Sequence, residues 1–248
     1  MCSSDLWSKT AFARVTEANA AFASVTLANA VFDHAQLSSM ACSDCDLRGA
    51  SFRYADLTGA TLATPSADLF VGAHFDHATL ANATLNHVDL RNAVMENANA
   101  THATLTYANV GGLEGTYMTL DQAILSNSTA NAGDANPVFD MSSMLQTTVE
   151  NVVLPAASFT YVYASGSSWK GATLIRANFA NATLDNSFFN GATLRSVNLA
   201  GANLSYSDLT AADLSMDSAK VRSNLVSTVG CGANLSGTNL SEIGRAHV

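Results

Sequence analysis

Large apolar side chains recur at every fifth position along most of the chain, and a small residue usually stands two positions before each of them. A period of five matches neither the 3.6 residues of an amphipathic helix nor the alternation of a strand. The pattern therefore predicts a solenoid whose short segments turn a corner at a fixed interval, so that one phase of the repeat always faces inward. Glu17 and Cys42 interrupt the first apolar series, which otherwise contains Trp7, Phe12, Phe22, Leu27, Phe32, Leu37, Leu47, Phe52, Leu57 and Leu62.

Individual five-residue units of the pattern resemble those of a known repeat family. The stretches A-D-L-T-G at 55–59, A-N-F-A-N at 177–181 and A-N-L-S-Y at 202–206 resemble the pentapeptide-repeat family, and the resemblance extends over roughly residues 7–241. It implies an all-β fold, a right-handed four-sided parallel β-helix with about twenty residues per coil. In that fold the central Leu or Phe and the small residue before it point inward.

The spacing of the phenylalanines supports four sides independently, because four units of five residues make one coil. Residues separated by one coil lie on the same interior face, about 4.8 Å apart, which is the distance between neighbouring strands. We therefore expect two buried stacks of rings. These comprise Phe12, Phe32 and Phe52 in one stack, and Phe139, Phe159 and Phe179 in the other.

The repeat loses its register at few points, which we interpret as loops in a single solenoid spanning 7–241. One predicted loop lies near 63–74, where Pro65 cannot donate to a β-ladder. The second lies near 126–138, where N-A-G-D-A-N-P is rich in turn-forming residues. A single extra residue is expected near 220–223.

The two ends are related to each other through DNA. The final residues E-I-G-R-A-H-V can be encoded by GAGATCGGAAGAGCACACGTC, and the reverse complement of that DNA, read from GTG, encodes M-C-S-S-D-L, which is how the chain begins. We therefore interpret residues 1–6 and 242–248 as derived from sequencing adapter. On that interpretation the natural protein is longer, and an open repeat at each end predicts end-to-end self-association.

Acidic residues dominate the charge, with 20 Asp and Glu against 11 Lys and Arg and a formal net charge of −9. This balance argues against direct nucleic-acid binding, which needs clustered basic residues. Residues 92–169 contain no Lys or Arg, so they form an acidic stretch that could attract a basic protein partner, although mild acidity could also serve only solubility. The candidate partner-binding residues are Glu96, Glu114, Asp121, Asp134, Asp140 and Glu150.

Motifs for catalysis or metal binding are weak. Cys42 and Cys45 resemble half of a zinc site, but no second ligand pair exists, so buried thiols at two inward positions are the favoured interpretation and a disulfide stays open. His34, His77, His87 and His102 take outward positions, and no two are one coil apart. Asp76 and Glu96 are one coil apart, but an exposed wall offers no pocket to tune them. We therefore expect no enzymatic activity, no cofactor and no metal.

Function must then be read from surface and shape. The first hypothesis is a non-enzymatic scaffold or binding module for a protein partner. The alternative comes from the family resemblance, since its quinolone-resistance members look like B-form DNA and bind DNA gyrase. The chain has no long apolar span, so a membrane segment is not expected. The sequence does not fix the compartment, and a bacterial cytoplasmic protein is slightly favoured.

Overall fold

The computed structural model describes residues 7–62, 70–131, 133–241 and 243, and these residues form a right-handed, four-sided parallel β-helix. Two regular strands are present, β1 at Ala21–Ala23 and β2 at Ala41–Ser43, and they pair in parallel with Ala21 opposite Ala41. All other described pairing consists of single-residue parallel bridges, most of them between residues one coil apart. No helix occurs among the described residues, and the predicted all-β solenoid is confirmed.

The corner between successive units explains the period of five. At a representative corner, the N–H of Ala35 donates to the carbonyl of Phe32 at 3.0 Å, and His34 between them has a φ of 59°. A turn with its third residue in the left-handed region is a type II turn. The same geometry recurs at nearly every described corner, where Asn and Gly are frequent because they adopt this conformation at low cost.

Each coil contributes one central inward residue, with the small inward residue two positions before it, to each of four interior faces. Face A carries Phe12, Phe32, Phe52, Phe75, Met95, Gly115, Phe139, Phe159, Phe179, Leu199 and Leu225. The other faces are defined by their first buried members, which are Leu37, Leu57 and Leu80 for face B, Cys42, Leu62 and Leu85 for face C, and Leu27, Leu47 and Phe70 for face D. The residues that flank each inward residue form the outer wall of that face.

The two ring stacks expected from sequence both lie on face A, where the inward side chains form one column. Ring centroids are 4.9 Å apart between Phe12 and Phe32, and 4.8 Å apart between Phe159 and Phe179. Phe12, in the first described coil, is only partly buried. Between the two groups of rings the column passes through Met95 and Gly115. An added Cβ at Gly115 would lie 3.3 Å from the sulfur of Met118, which shows that this methionine occupies the space that a larger side chain would take.

Two loops leave the solenoid along the same edge. Of the loop predicted near 63–74, residues 63–69 lie outside the described residues. Two other loops, loop 1 with described residues 131 and 133–137, and loop 2 at 215–223, both leave the edge that joins face D to face A. The sequence interpretation of loop 2 as one extra residue after a further repeat is wrong. Leu214 lies on face D and Leu225 on face A, so the intervening segment replaces a single corner.

Loop 1 folds back against two glycines of the preceding coil. The N–H of Gly112 donates to the carbonyl of Ala135 at 2.6 Å. A Cβ at Gly111 would collide with the side chain of Asp134, and one at Gly112 would approach Ala135. Gly111 and Gly112 therefore leave the room that loop 1 occupies.

Cys42 and Cys45 take the inward positions expected from the repeat, and both are buried. They are not free thiols, since a disulfide joins them. The favoured sequence interpretation is therefore wrong and the alternative it left open holds. The reason is geometric, because the left-handed corner at Asp44 brings the small inward position of one unit next to the central position of the unit before it.

Candidate protein-binding surface

The six candidate acidic residues do not form one patch. Glu96, Glu114 and Asp140 flank inward residues of face A, whereas Asp121 lies on the wall of face B and Glu150 on that of face C. Asp134 lies in loop 1, where its carboxylate accepts a hydrogen bond from the backbone of Asn131 at 3.1 Å. Residues that are close in sequence are distributed around the coil, because each step of five residues turns a corner.

Several of these carboxylates hold neighbouring coils together. Asp140 accepts hydrogen bonds from the hydroxyl of Ser158 at 2.6 Å and from the N–H of Thr160 at 2.8 Å. Asp121 makes the equivalent pair of contacts one face away. Glu150 accepts a hydrogen bond from a serine of the next coil. These acids stabilise the stack of coils, which reduces their freedom to engage a partner.

Two of the six candidate residues have carboxylates that take no part in holding neighbouring coils together. Glu96 and Glu114 are exposed, and the carboxylate of neither makes a hydrogen bond or ion pair with a described residue. They flank successive inward positions of face A, and the backbone N–H of Met95 donates to the carbonyl of Glu114 at 2.7 Å. Asp33 and Asp76, which were not on the candidate list, lie on the same wall. Arg53 offsets part of their charge through an ion pair with Asp76.

An exposed row of aromatic side chains borders this wall. We call it the aromatic edge, since it runs along the corners that join face A to face B. Its members are the aromatic residues His34, Tyr54, His77, Tyr117 and Tyr161 together with Met141, and Asn97 lies between His77 and Tyr117. Tyr54 is stacked between two histidines, with ring centroids 5.0 Å from His34 and 4.6 Å from His77. An exposed row of aromatics beside free carboxylates is typical of a surface that contacts another protein.

The sequence did not reveal this edge because one loop shifts the register. Three extra residues separate Tyr54 from His77, although the two residues occupy neighbouring coils. A search in steps of twenty residues from Tyr54 therefore misses His77. Comparing each aromatic with the nearest inward Leu or Phe, rather than counting along the chain, would have found the alignment.

Three of the outward histidines, His34, His77 and His87, stack on tyrosines. His87 stacks on Tyr107 at 4.9 Å, on the edge that joins face C to face D. Across the described ranges, no group of three or more His, Cys, Asp or Glu is arranged to hold a metal ion. No helix in the described part of the chain is long and apolar enough to cross a membrane.

Hydrogen bonds lower the pKa of several aspartates below the ordinary value of 3.8. For Asp46 the main cause is the side chain of Arg48, and for Asp208 it is the hydroxyl of Thr210. For Asp56, burial alone would raise the pKa, but hydrogen bonds from Thr58 and Ser38 outweigh it. The pKa of Asp217 is lowered chiefly by its hydrogen bond from Arg176.

These shifts predict loss of stability in acid. A carboxyl whose pKa is lower in the folded state stabilises the fold fully above its unfolded pKa, and the contribution disappears as the pH falls through the folded value. We expect the urea midpoint to fall steadily below about pH 4. Unfolding followed by circular dichroism from about pH 6 to about pH 3 measures this, and Asp208→Asn should reduce the slope. A constant midpoint across the range would contradict the assignment.

Comparison with known proteins finds a matching family profile and similar solved structures. The family profile described as pentapeptide repeats, in 8 copies, matches residues 27–63, 69–106, 157–195 and 177–215. Among solved structures, the chain is similar to HetL, a pentapeptide repeat protein involved in heterocyst differentiation regulation from the cyanobacterium Nostoc sp. strain PCC 7120. The identity is 19%, the match covers 94% of this chain and 90% of HetL, and the TM-score is 0.30.

A second similar structure is full-length QnrB1, a plasmid-mediated fluoroquinolone resistance protein. It is 15% identical, the match covers 91% of this chain and 93% of QnrB1, and the TM-score is 0.37. Comparison with curated protein sequences finds no significant match.

Proposed function

The chain belongs to the pentapeptide-repeat family, and we propose that it is a non-enzymatic binding module that presents the wall of face A and the aromatic edge to a basic protein segment. The observation that carries the proposal is the adjacency of free carboxylates and exposed rings. Glu96 and Glu114 lie beside a corner row whose Tyr117 side chain is 56% exposed. Carboxylates attract Lys and Arg, and aromatic rings pack against their alkyl stems and guanidinium groups.

A peptide probe tests this surface directly. We expect a fluorescein-labelled peptide of alternating Arg and Ala to bind, with an affinity that weakens as salt is raised from about 50 to about 200 mM. The double variant Glu96→Lys, Glu114→Lys should reduce the affinity at least about tenfold, since it reverses two charges. Fluorescence anisotropy measures the binding.

Matched controls separate the proposed surface from general acidity. Glu150→Lys changes one charge on the wall of face C, and Tyr107→Ala removes a ring that is 57% exposed on a different edge. We expect both to bind like the wild type, whereas Tyr117→Ala should weaken binding several-fold. Equal losses in the controls and in the surface variants would count against this surface.

The alternative function is that of a DNA mimic that binds DNA gyrase. Its support in this chain is the row of acids on face A, where Asp33, Asp76, Glu96 and Asp140 recur in one phase of the repeat, as phosphates recur along a strand of DNA. Arg53 interrupts that row. The test is gyrase supercoiling in the presence of about micromolar protein, with the Glu96→Lys, Glu114→Lys variant as the comparison. An unchanged supercoiling rate would remove this alternative and leave the binding module.

We also propose that the solenoid associates with a second copy of itself through its last described coil. Leu225, Leu235 and Leu240 of this coil line an apolar depression of about 550 Å³, together with Leu204, Leu209 and Leu214 of the coil before it. The N–H groups of Leu225, Leu235 and Leu240 find no backbone acceptor among the described residues. Open backbone groups around an apolar centre favour pairing with another chain.

A further inference from the structure

Loop 1 and loop 2 enclose a cleft on the edge between face D and face A, on the side of face A opposite the aromatic edge. Its volume is about 450 Å³, within the range of sites that hold small ligands. Asn131 and Asp134 of loop 1 form one wall, and Asp217 and Ser218 of loop 2 form the other. The cleft therefore exists because two loops leave the same edge of the solenoid several coils apart.

The floor of the cleft comes from the coils between the two loops. It combines apolar surface from Pro155, Ala156 and Ile175 with the guanidinium groups of Arg176 and Arg195. The two arginines lie shortly after residues 92–169, which contain no Lys or Arg. A site with apolar surface and a few convergent polar groups has the usual composition of a ligand pocket.

Both arginines have unused hydrogen-bonding capacity. Arg176 donates through Nε to the carboxylate of Asp217, and its terminal nitrogens donate no hydrogen bond to a described residue. Arg195 forms an ion pair with Asp213 at 3.7 Å through Nε, which is buried and has no hydrogen-bond partner, and its terminal nitrogens donate no hydrogen bond to a described residue. A guanidinium group presents a planar fork of donors that matches a carboxylate.

The loop 2 wall is held in place by the solenoid. The carboxylate of Asp217 accepts hydrogen bonds from the N–H groups of Ala219 at 3.0 Å and Val221 at 3.1 Å. Ser196, at the corner of the neighbouring coil, accepts from the N–H of Asp217 at 2.9 Å and donates to the carbonyl of Val221 at 2.6 Å. Because these bonds order the loop, the cleft exists before a ligand arrives, which lowers the entropic cost of binding.

From this geometry we infer that the cleft is a binding site for a carboxylate attached to a small apolar group. The carboxylate lies against Arg195 and the free face of Arg176, and the apolar group packs on Pro155, Ala156 and Ile175. Such a ligand has two sources, a free small organic acid or the C-terminus of a peptide with an apolar last residue. The site is separate from the aromatic edge and does not depend on the function proposed for it.

The probes are N-acetyl-leucine and its neutral counterpart N-acetyl-leucinamide, added to isotope-labelled protein. In amide NMR spectra we expect saturable shifts at Ala156, Ile175 and Ser218 with the acid, at a Kd on the order of 1 mM, and at least about tenfold weaker binding of the amide. Arg195→Gln should weaken binding of the acid about tenfold, because it removes the charge and the fork of donors. Arg14→Gln, a change at a distant exposed arginine, should leave it unchanged.

Equal affinity for acid and amide, or unchanged binding by Arg195→Gln, would overturn the inference. Unchanged spectra of Arg195→Gln without ligand, at Val221 above all, establish that loop 2 is intact. The tripeptide Ala-Ala-Leu with an acetylated N-terminus distinguishes the sources. Tighter binding of this peptide than of N-acetyl-leucine would assign the site to a chain end, and weaker binding would assign it to a free acid; either result supports carboxylate recognition.

Discussion

Phe159→Ala is expected to lower the free energy of unfolding by about 3 to 5 kcal/mol. The side chain is completely buried and stacks on both neighbours in the face A column, 5.2 Å from Phe139 and 4.8 Å from Phe179. It also meets the edge of Trp169 at 5.1 Å. Since the column cannot collapse without shifting whole coils, the truncated side chain leaves a cavity. Urea denaturation followed by circular dichroism measures the loss.

Tyr161→Ala is the matched control for this prediction. Tyr161 is also aromatic and only two residues away, but it is 51% exposed at the corner. We expect its replacement to change stability by less than about 1 kcal/mol. Similar losses from the two substitutions would show that the inward and outward phases have been assigned wrongly.

Self-association through the last described coil is the second large effect. We expect the protein to form dimers that dissociate on dilution, and we expect Leu235→Glu to abolish them, because a charge then lies in the centre of the contact. Leu235 is 48% exposed. The control is Leu145→Glu, the same change at a leucine that is 41% exposed on the outer wall of face B. Sedimentation velocity over a range of concentrations distinguishes the two variants, and a wild type that stays monomeric throughout would refute the proposal.

Dimers rather than filaments are expected because the first and last described coils differ. In the first described coil, Glu17 stands at a position that the repeat directs inward, its side chain is exposed, and its backbone N–H donates to the carbonyl of Gln36 in the next coil. A charge at such a position opposes stacking of a second coil, as charged side chains do at the edges of other β-sheets. Pairing of two identical apolar ends closes the assembly, whereas pairing of unlike ends leaves it open. Glu17→Leu should therefore produce species larger than dimers.

The inward phase of the repeat could be predicted from sequence because it depends on local geometry. Phe32, Leu57 and Ala60 are buried for the same reason, since each stands at a fixed position relative to a left-handed corner. The type II corner needs only a residue that tolerates positive φ, so the fold follows from five-residue units without knowledge of distant contacts. This explains why the fold class emerged from periodicity together with the family resemblance.

The surface could not be predicted in the same way, because it depends on how many residues each loop adds. Tyr54 and His77 meet only when the extra residues between them are counted, and Asp217 orders loop 2 through Ser196 from another coil. The acidic stretch appeared continuous in sequence, yet Glu96 and Asp121 lie on different walls. Position around a coil is set by register, and an error of one unit moves a side chain by a quarter turn.

The corner geometry that recurs in nearly all described coils also allows the length of the solenoid to change by whole coils. Because every coil repeats the same backbone geometry, one coil can be inserted or removed without altering the coils on either side. Each such event moves loop 2 relative to loop 1 by one strand spacing, about 4.8 Å. The number of coils beneath the cleft therefore sets the distance between loop 1 and loop 2 in steps of about 4.8 Å. Duplication of a single coil is a route by which relatives of this chain could come to accept longer ligands while keeping every contact within the coil unchanged.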